Sequence, residues 1–487
     1  MPRLQLDLAA PAVPLRPVWT FGANTCHAPL WLRDDLISQV ATMHRELGFR
    51  YIRAHGVLCD KLIDVLPGNT FNVERIGPAF DRLLATGVKP FVELSHLPSS
   101  MSREPVNITA YKFWCGPPKD WKQWAALVTA VVRFLTDRYG RDELRTWYFE
   151  VWNEPDINFW KGTKQDYFKL YDLAVAAVKA IDGQYRVGGP ATSKTAWVKD
   201  FVEHVTRPSA DCGGQNPPCD FVSTHAYPSD LAFVDSDRGA VTLQNSNIMR
   251  QLFSEARAHV DAGLGREMPL ICGEWNSSAG PLAWNHDECN NAAYVVKTMA
   301  ELEPMVEGSL FWNASDIYEE CHFHYEPFHG GYGLMTVNDV PKAAYHAFRL
   351  LKEHTGLRVP AKLEGVPDGV GALASRAGRT LRVLTYHHIE PGVKSGAVPL
   401  QLSGLPEGAG ELRVERVLPG AGSAYETWLE LGRPAYVNAA ILDSLTQASR
   451  PRVETLPADA AVDLPPGTIA AITCTLPGPG FTDGAGV

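Results

Sequence analysis

The segment WYFEVWNEPD, residues 147–156, is a short apolar run that ends abruptly in the polar residues Asn153 and Glu154. Its aromatic and β-branched residues favour a buried strand. A second apolar run, PLICGE at residues 269–274, ends in Glu274. Since the carboxyl ends of parallel strands meet at one edge of a sheet, the two runs predict a parallel sheet with two glutamates at its functional edge.

Six more β-rich runs alternate with runs of helical period between about residues 17 and 354, which indicates repeated βα units. Eight such units predict an α/β fold, specifically a (β/α)8 TIM barrel. A doubly wound open sheet is the alternative, and the absence of a Gly-rich phosphate loop after the first strand counts against it. The strand candidates centre on residues 18–22, 51–55, 90–94, 147–152, 186–189, 221–225, 269–274 and 309–313. The helix candidates include residues 32–47, 121–139, 165–181, 247–262, 289–302 and 340–354.

After the last helix candidate the pattern changes to alternating strands separated by Gly and Pro turns, such as LRVLTYH, ELRVERV and GTIAAITCTL. This texture predicts an accessory antiparallel β-sandwich. The alternation in RLQLDL near the amino terminus predicts one further strand of that sandwich. We therefore expect an N-terminal strand in residues 1–14, a catalytic barrel in 15–355, the sandwich in 356–478 and a disordered tail in 479–487.

Composition excludes several classes of partner. The chain has 487 residues with 45 Lys and Arg against 55 Asp and Glu, and no basic run that could neutralise a row of phosphates, so we expect no nucleic acid partner. No stretch of about 18 apolar residues and no export signal is visible, which predicts a cytoplasmic protein without a membrane partner. Nine dispersed cysteines fit a reducing compartment, although Cys212 and Cys219 are close enough in sequence to pair. With no obvious oligomerisation element, a monomer is the expectation.

Two glutamates on opposite sides of a barrel mouth suit glycoside hydrolysis. One carboxylic acid protonates the leaving oxygen and one carboxylate meets the oxocarbenium-like carbon. Carboxyl groups about 5–5.5 Å apart give direct attack and retention, whereas about 6.5–9.5 Å leaves room for water and gives inversion. We expect the shorter distance, and neither a cofactor nor a metal is needed for this chemistry.

The two motifs resemble those of the retaining (β/α)8 glycosidases, and the order of FGANTCHAPLWLRDDL, LGFRYIRAHGVLCD, PFVELSHLPSSM and STHAYP narrows the resemblance to glycoside hydrolase family 39. That family contains β-xylosidases and α-L-iduronidases. The resemblance implies that Glu154 is the general acid/base and Glu274 the nucleophile. It also implies that Asn153 binds the sugar 2-hydroxyl and that the nonreducing-end sugar is lined by His55, His225 and Tyr227.

Aromatic and acidic residues in the loops are further candidates for the sugar site. Trp312, at the end of the eighth strand, is a candidate platform for a sugar ring, with barrel core as the alternative. Glu319 or Glu320 is expected to bond sugar hydroxyls, with Glu320 preferred over a merely solvated acidic loop. The long inserts offer aromatic residues either as pocket walls or as rim packing: Phe113, Trp114, Phe159 and Trp160.

Several further histidine and cysteine residues are not predicted to have a functional role. Cys321, His322, His324 and His329 match no common zinc spacing, so we predict no metal site there. His387 and His388 fall in the presumed sandwich and are expected at its surface.

A neutral sugar is favoured over a uronic acid because the strand-eight loop carries Asp316, Glu319, Glu320 and Glu326 rather than Arg or Lys. The sequence therefore predicts a retaining exo-acting β-xylosidase that releases xylose from short xylo-oligosaccharides or aryl xylosides. The alternatives are an α-L-arabinosidase, an α-L-iduronidase-like glycosidase, and a carbohydrate-binding protein that has lost catalysis.

Overall fold

The computed structural model describes residues 2–11, 13–104, 106–230, 242–243 and 246–478. Its larger part is a closed barrel of eight parallel strands in which each strand pairs with the next and the eighth pairs with the first. The TIM barrel prediction is therefore confirmed, while the predicted tail at 479–487 lies outside the described residues. The barrel strands are Gly22–His27, Tyr51–His55, Lys89–Leu94, Tyr148–Val151, Arg186–Thr192, Phe221–His225, Leu270–Trp275 and Gly308–Phe311.

Each barrel strand is followed by a helix that packs outside it. The eight helices are Asp34–Leu47, Ile76–Ala85, Trp121–Tyr139, Lys164–Ile181, Val198–Val205, Ile248–Leu264, Asn290–Leu302 and Ala343–Lys352. Helix Trp121–Tyr139 begins where Asp120 accepts a hydrogen bond from the Lys122 amide, and helix Lys164–Ile181 begins at a capping box between Thr163 and Asp166. In these two helices, a polar side chain just before the first turn thus satisfies a free backbone amide.

The barrel interior is built in layers, because side chains on a strand alternate with a period of two. The amino-terminal end is closed by an apolar layer that includes Tyr51, Phe91 and Tyr148. Two residues further along the second strand, Arg53 lies fully buried in the interior, and after another two His55 reaches the carboxyl-terminal edge. Every second residue of the second strand thus points into the barrel, and these residues are apolar at its amino-terminal end, charged in its middle and polar at its carboxyl-terminal edge.

The second domain consists of two sheets that enclose their own apolar core. The N-terminal strand Arg3–Leu6 lies inside the smaller sheet, antiparallel to Ala361–Glu364 and parallel to Val398–Ser403. The remaining strand of that sheet is Ala461–Leu464. The larger sheet contains Val13–Pro14, Leu357–Arg358, Val370–Ala377, Thr380–His387, Thr468–Thr475, Leu412–Pro419, Gly422–Ser423 and Arg452–Leu456.

Two expectations about this domain are wrong. His387 and His388 are buried rather than at the surface. His387 bonds the Leu464 carbonyl and the Ser395 hydroxyl through its two ring nitrogens, and His388 lies against the barrel beside Tyr294. The domain also contains two helices that the strand pattern did not predict, Tyr425–Glu430 and Ala439–Ala448.

All nine cysteines lie within the described residues and all are free, so Cys212 and Cys219 are not paired. Within the same residues, none of the helices has the length and apolar character needed to cross a bilayer.

Candidate active site

Glu154 follows the fourth barrel strand in a tight, left-handed stretch of backbone. Its φ is 43° and that of Trp152 is 70°, values that side chains with a Cβ adopt at a cost of about 1–3 kcal/mol. The Glu154 amide donates to the Ala191 carbonyl at 2.8 Å, and Trp152 Nε1 donates to the Phe159 carbonyl at 3.0 Å. These bonds to neighbouring segments hold the turn that aims Glu154 into the barrel mouth.

Glu274 reaches the interior because the seventh strand carries an irregularity. Pairing with the sixth strand runs from Thr224 opposite Cys272 directly to His225 opposite Glu274, so the seventh strand contains one extra residue there. Without it, alternation from the inward-facing Ile271 would direct Glu274 outward. The bulge thus places the second glutamate on the same side as the first.

The two glutamates meet around His225. One atom from each of Glu154, His225 and Glu274 lies within 4.8 Å of the others. His225 Nδ1 is 3.1 Å from Glu154 Oε1 and 3.7 Å from Glu274 Oε2, and the Tyr227 hydroxyl donates to Glu274 Oε1 at 2.6 Å. An oxygen from each carboxyl is therefore close enough for both groups to contact one sugar carbon and its substituent.

The surroundings of the two carboxyls differ. Burial, reinforced by the charge of Asp156, raises the pKa of Glu154 to about 8. Burial also raises the pKa of Glu274, but Glu274 accepts hydrogen bonds from Tyr227 and from Arg53, which favour its ionised form. Both donors bond the carboxylate oxygens of Glu274 directly and so oppose the effect of burial. The raised pKa of Glu154 favours a protonated carboxyl near neutral pH, while the two donors to Glu274 favour its ionised form.

Arg53 is the structural centre beneath the pair, and the sequence reasoning missed it. Its guanidinium is fully buried, and the neighbouring carboxylates raise its pKa despite burial. A charged residue at an inward position of a barrel strand, two residues before His55, was the available signal. Its partners are Glu150 Oε2 at 2.6 Å, Glu93 Oε2 at 2.7 Å, Asn153 Oδ1 at 2.9 Å, Asn24 Oδ1 at 3.1 Å and Glu274 Oε2 at 3.4 Å.

Asn153 is oriented by this arginine. Because its amide oxygen accepts from Arg53 Nη2, its amide hydrogens are left to donate elsewhere. Such an orientation suits contact with an acceptor above the arginine.

His55 and Trp312 form one wall of the mouth. Their ring centroids are 4.9 Å apart, and His55 Nδ1 bonds Glu93 Oε2 at 2.8 Å. Glu93 is a second buried polar residue that the search of strand ends missed, since it lies within the third strand. The charge of Glu93 raises the pKa of His55 against the opposing effect of burial.

The strand-eight loop sends its two adjacent glutamates in different directions. Glu319 faces His27 and Lys61, at 3.4 and 3.5 Å, away from the pair. Glu320 accepts from the Tyr318 hydroxyl at 2.8 Å, and burial together with the charges of Glu154 and Glu93 raises its pKa. Glu320 is therefore the member of this pair that is electrostatically coupled to the site.

Not every acidic residue of the strand-eight loop faces the sugar site, so their number is weaker support for a neutral sugar than the sequence indicated. Asp316 is fully buried and forms an ion pair with Lys342 at 2.6 Å, and Lys342 also pairs with Asp287 at 2.5 Å. Lys342 further donates to the Gly331 carbonyl at 2.9 Å. Asp316 thus belongs to a buried lysine cluster that fixes the loop, rather than to the sugar-facing surface.

The candidate aromatic walls separate into two groups. Phe113 and Phe159 lie near His55, with ring centroids 6.2 and 6.4 Å from it. Trp160 packs on Trp152, and Trp114 donates to Asp60 at 3.1 Å. Phe113 is fully buried behind His55, and Phe159, which is partly exposed, is the candidate for the pocket wall.

Some groups of His and Glu side chains among the described residues are close enough together to hold a metal ion. Two were found, His55 with Glu93 and His96, and the Glu154, His225 and Glu274 group. The strand-eight residues Cys321, His322, His324 and His329 form no such cluster within the described part of the chain. Both clusters adjoin the buried Arg53 cation, which disfavours a second positive charge.

Comparison with known proteins gives a consistent picture. The model of glycosyl hydrolases family 39 matches residues 3–463. A β-xylosidase of Caldicellulosiruptor saccharolyticus is 34% identical over 90% of this chain and 89% of that protein, and one of Geobacillus stearothermophilus is 30% identical over 90% and 87%. The crystal structure of a monomeric β-xylosidase from Caulobacter crescentus CB15 superposes with a TM-score of 0.86 at 31% identity, covering 98% of this chain and 100% of that one.

Proposed function

Because the chain belongs to glycosyl hydrolase family 39 and is a glycoside hydrolase, we propose that it is a retaining, exo-acting β-xylosidase. The observation that carries this proposal is the pair of carboxyls around His225, each with an atom within 4.8 Å of the other, in a chain 34% identical to a β-xylosidase along nearly its whole length. Such a separation leaves little room for a water between carboxylate and sugar and supports direct attack.

In the proposed reaction Glu154 is the acid/base and Glu274 the nucleophile. Glu274 attacks the anomeric carbon while the bond to the leaving oxygen breaks and Glu154 protonates that oxygen. Glu154, now ionised, then removes a proton from water, whose oxygen displaces Glu274 and regenerates both groups. The hydrogen bonds from Tyr227 and Arg53 support the ionised Glu274 that the first step needs.

The proposed sugar contacts follow from the orientation of the surrounding groups. The amide hydrogens of Asn153 would bind the 2-hydroxyl, and Glu320 would accept from hydroxyls further out. The ring would pack against Trp312, with His55, His225 and Tyr227 around it.

A neutral pentose suits the charge of this pocket. Arg53 is bound by three carboxylates and so offers no unpaired charge to a sugar carboxylate. Glu320 would repel such a group. These two observations support a xyloside over an iduronide, and arabinosides with similarly placed hydroxyls are the second substrate class to test.

Exo action is supported by contact between the two long inserts. The Ala110 amide on the strand-three insert donates to the Glu320 carbonyl on the strand-eight loop at 2.9 Å. A joined rim closes one side of the mouth, as a pocket for a chain end requires.

The test is turnover of 4-nitrophenyl β-D-xylopyranoside by the wild type and by Glu274→Ala, with product stereochemistry followed by proton NMR. We expect cleavage with β-xylose as the first product and loss of turnover in the variant. 4-Nitrophenyl α-L-arabinosides and an aryl α-L-iduronide serve as matched substrates. Preference for the iduronide would refute the xyloside assignment, and α-xylose as the first product would refute double displacement.

A further inference from the structure

His225 has a second face that the proposed reaction does not use. Its Nδ1 faces the two glutamates, while its Nε2 is buried and, among the described residues, has no hydrogen-bond partner. Buried polar atoms usually have partners, so an unpaired nitrogen in the middle of an active site calls for a physical reason.

One charged group that acts on His225 is the carboxylate of Glu150, in the fourth strand. This carboxylate is fully buried, and its Oε2 accepts from Arg53 Nε at 2.6 Å. Its Oε1 is also buried without a hydrogen-bond partner among the described residues. Two unpaired polar atoms of complementary type, an imidazole nitrogen and a carboxylate oxygen, thus lie in one polar layer.

His225 Nε2 and Glu150 Oε1 both lie next to Gly273. A Cβ on Gly273 would lie 3.2 Å from His225 Nε2 and 3.5 Å from Glu150 Oε1. Both atoms therefore border the same point above the glycine, in the bulge that also directs Glu274 inward. Any side chain at position 273 would come between them and crowd the imidazole.

The position of the single proton on His225 then matters. Burial lowers the pKa of His225 to about 4, so the ring is neutral and one nitrogen carries hydrogen. With hydrogen on Nδ1, the lone pair of Nε2 would face the Glu150 carboxylate, which is repulsive. With hydrogen on Nε2, the positive end of the N–H dipole lies on the side of the ring that borders the space shared with Glu150 Oε1, and the lone pair of Nδ1 faces Glu154.

We propose that Glu150 is a positioning residue that acts through His225: it holds the imidazole in the Nε2–H tautomer, so that Nδ1 accepts a hydrogen bond from the protonated Glu154 and Glu154 stays in its acid form. This inference deepens the proposed function and rests on Glu154 being the acid. His225 transfers no proton in it; the proton remains on Glu154 until the leaving oxygen takes it.

Other charges around Glu154 and His225 compete with this effect. Glu274, 3.7 Å from Nδ1, favours the opposite tautomer, but its oxygens already accept from Tyr227 and Arg53. The other titratable groups that face Glu154 are Asp156 on its own loop, Arg53 and His55 on the second strand, Glu93 on the third, Tyr227 after the sixth, and Glu320 and Tyr332 in the strand-eight loop. A useful variant must therefore leave this set unchanged.

Two variants test the effect in different ways, and Gly273→Ala leaves the ion pair between Arg53 and Glu150 in place. Glu150→Gln removes the charge, and Gly273→Ala keeps every charge but inserts a methyl group between Nε2 and Glu150. Ser223→Ala is the matched control, because Ser223 lies on the strand of His225, is equally buried, and its hydroxyl has no partner among the described residues. Thermal unfolding of each variant establishes that it is folded, and Gly273→Ala keeps the test decisive if Glu150→Gln does not fold.

The direct measurement is the tautomer of His225 by NMR in protein labelled with ¹⁵N-histidine, with His225→Gln used to assign the signals. We expect hydrogen on Nε2 in the wild type and a shift toward Nδ1–H in Glu150→Gln and Gly273→Ala, with no change in Ser223→Ala. Hydrogen on Nδ1 in the wild type, or an unchanged tautomer in both variants, would overturn the proposal. This readout does not depend on which substrate is cleaved, so it fails separately from the xylosidase assignment.

The kinetic measurement is the pH profile of kcat/KM on a xyloside with a poor leaving group. We expect the basic limb to move to lower pH by about one unit in Glu150→Gln, which is a tenfold change in proton affinity, and in the same direction in Gly273→Ala. An unchanged basic limb in a folded Glu150→Gln would contradict the positioning role.

Discussion

The hydroxyl of Tyr227 donates a 2.6 Å hydrogen bond to Oε1 of Glu274. This bond joins the segment after the sixth strand to the end of the seventh, and it reaches the carboxyl that we propose as nucleophile. Both residues are buried, so the bond is shielded from water. It fixes the direction of the carboxylate and favours its ionised form.

Tyr227→Phe is therefore expected to lower kcat/KM for an aryl xyloside by about 10- to 100-fold, since a hydrogen bond to a charged group contributes about 1.5–3 kcal/mol. Tyr332→Phe is the matched control, because its hydroxyl bonds the Ala279 carbonyl rather than a glutamate. Steady-state kinetics on both variants decides the matter. Equal losses in the two variants would show that the Tyr227 bond has no special role.

Glu154→Ala should affect substrates according to their leaving group. A poor leaving group needs its oxygen protonated, so xylobiose hydrolysis should fall by about 10²–10⁴-fold. An activated dinitrophenyl xyloside needs little protonation and should lose much less in its glycosylation step, measured in the pre-steady state. If both substrates lost the same factor, the assignment of Glu154 as general acid would be wrong.

The pH profile should reflect the raised pKa of Glu154. Because the acid must be protonated, kcat/KM on a poor leaving group is expected to fall as the pH rises above about 8. With an activated leaving group in Glu154→Ala, that basic limb should disappear. A limb that persists in the variant would assign it to another group.

The same pKa has a consequence for stability. The folded protein keeps Glu154 protonated between its ordinary pKa of 4.5 and the raised pKa of about 8, while the unfolded chain releases that proton, so stability should fall across this window as pH rises. Glu154→Gln never ionises and is expected to unfold at a higher temperature than the wild type at pH 8, with little difference at pH 4. The reverse order at pH 8, measured by calorimetry, would mean that the buried site favours the charge.

Lys342→Met tests the buried lysine cluster. It leaves Asp287 and Asp316 buried without their cation, and breaking a buried pair in this way costs about 3–5 kcal/mol. Lys362→Met removes an exposed partner of Glu364 and should cost at most about 1 kcal/mol. Unfolding by urea compares the two; similar midpoints would show that the cluster contributes little.

The barrel could be predicted from sequence because each strand is a short apolar run, and the helix Trp121–Tyr139 was predicted with its bounds. The first strand was placed too early: it is Gly22–His27 rather than residues 18–22, because Val18–Thr20 forms a single helical turn. The helices Tyr425–Glu430 and Ala439–Ala448 were missed, since they are short and interrupt a domain read from its alternating strands.

The sequence indicates which polar residues lie at the ends of the barrel strands, but it does not indicate the polar residues inside the barrel. Residues at strand ends, such as Glu154 and His225, are found by asking where apolar runs stop. Arg53, Glu93 and Glu150 lie inside strands, where a polar residue reads as an exception to the pattern rather than as part of it. The inward direction of Glu274 depends on the bulge at Gly273, which no periodicity in the seventh strand reveals.

The strand Arg3–Leu6 pairs with strands that are more than 350 residues further along the chain. It is synthesised before the barrel, yet it pairs with Ala361–Glu364 and Val398–Ser403, which follow the barrel. At about 5–20 residues per second, it waits roughly 20 to 70 seconds for its first partner while the whole barrel emerges. During that time Leu4 and Leu6, which are buried in the finished protein, are exposed to other chains and to chaperones. The smaller sheet thus cannot be completed until the chain that follows the barrel has been made, so its assembly comes after synthesis of the whole barrel.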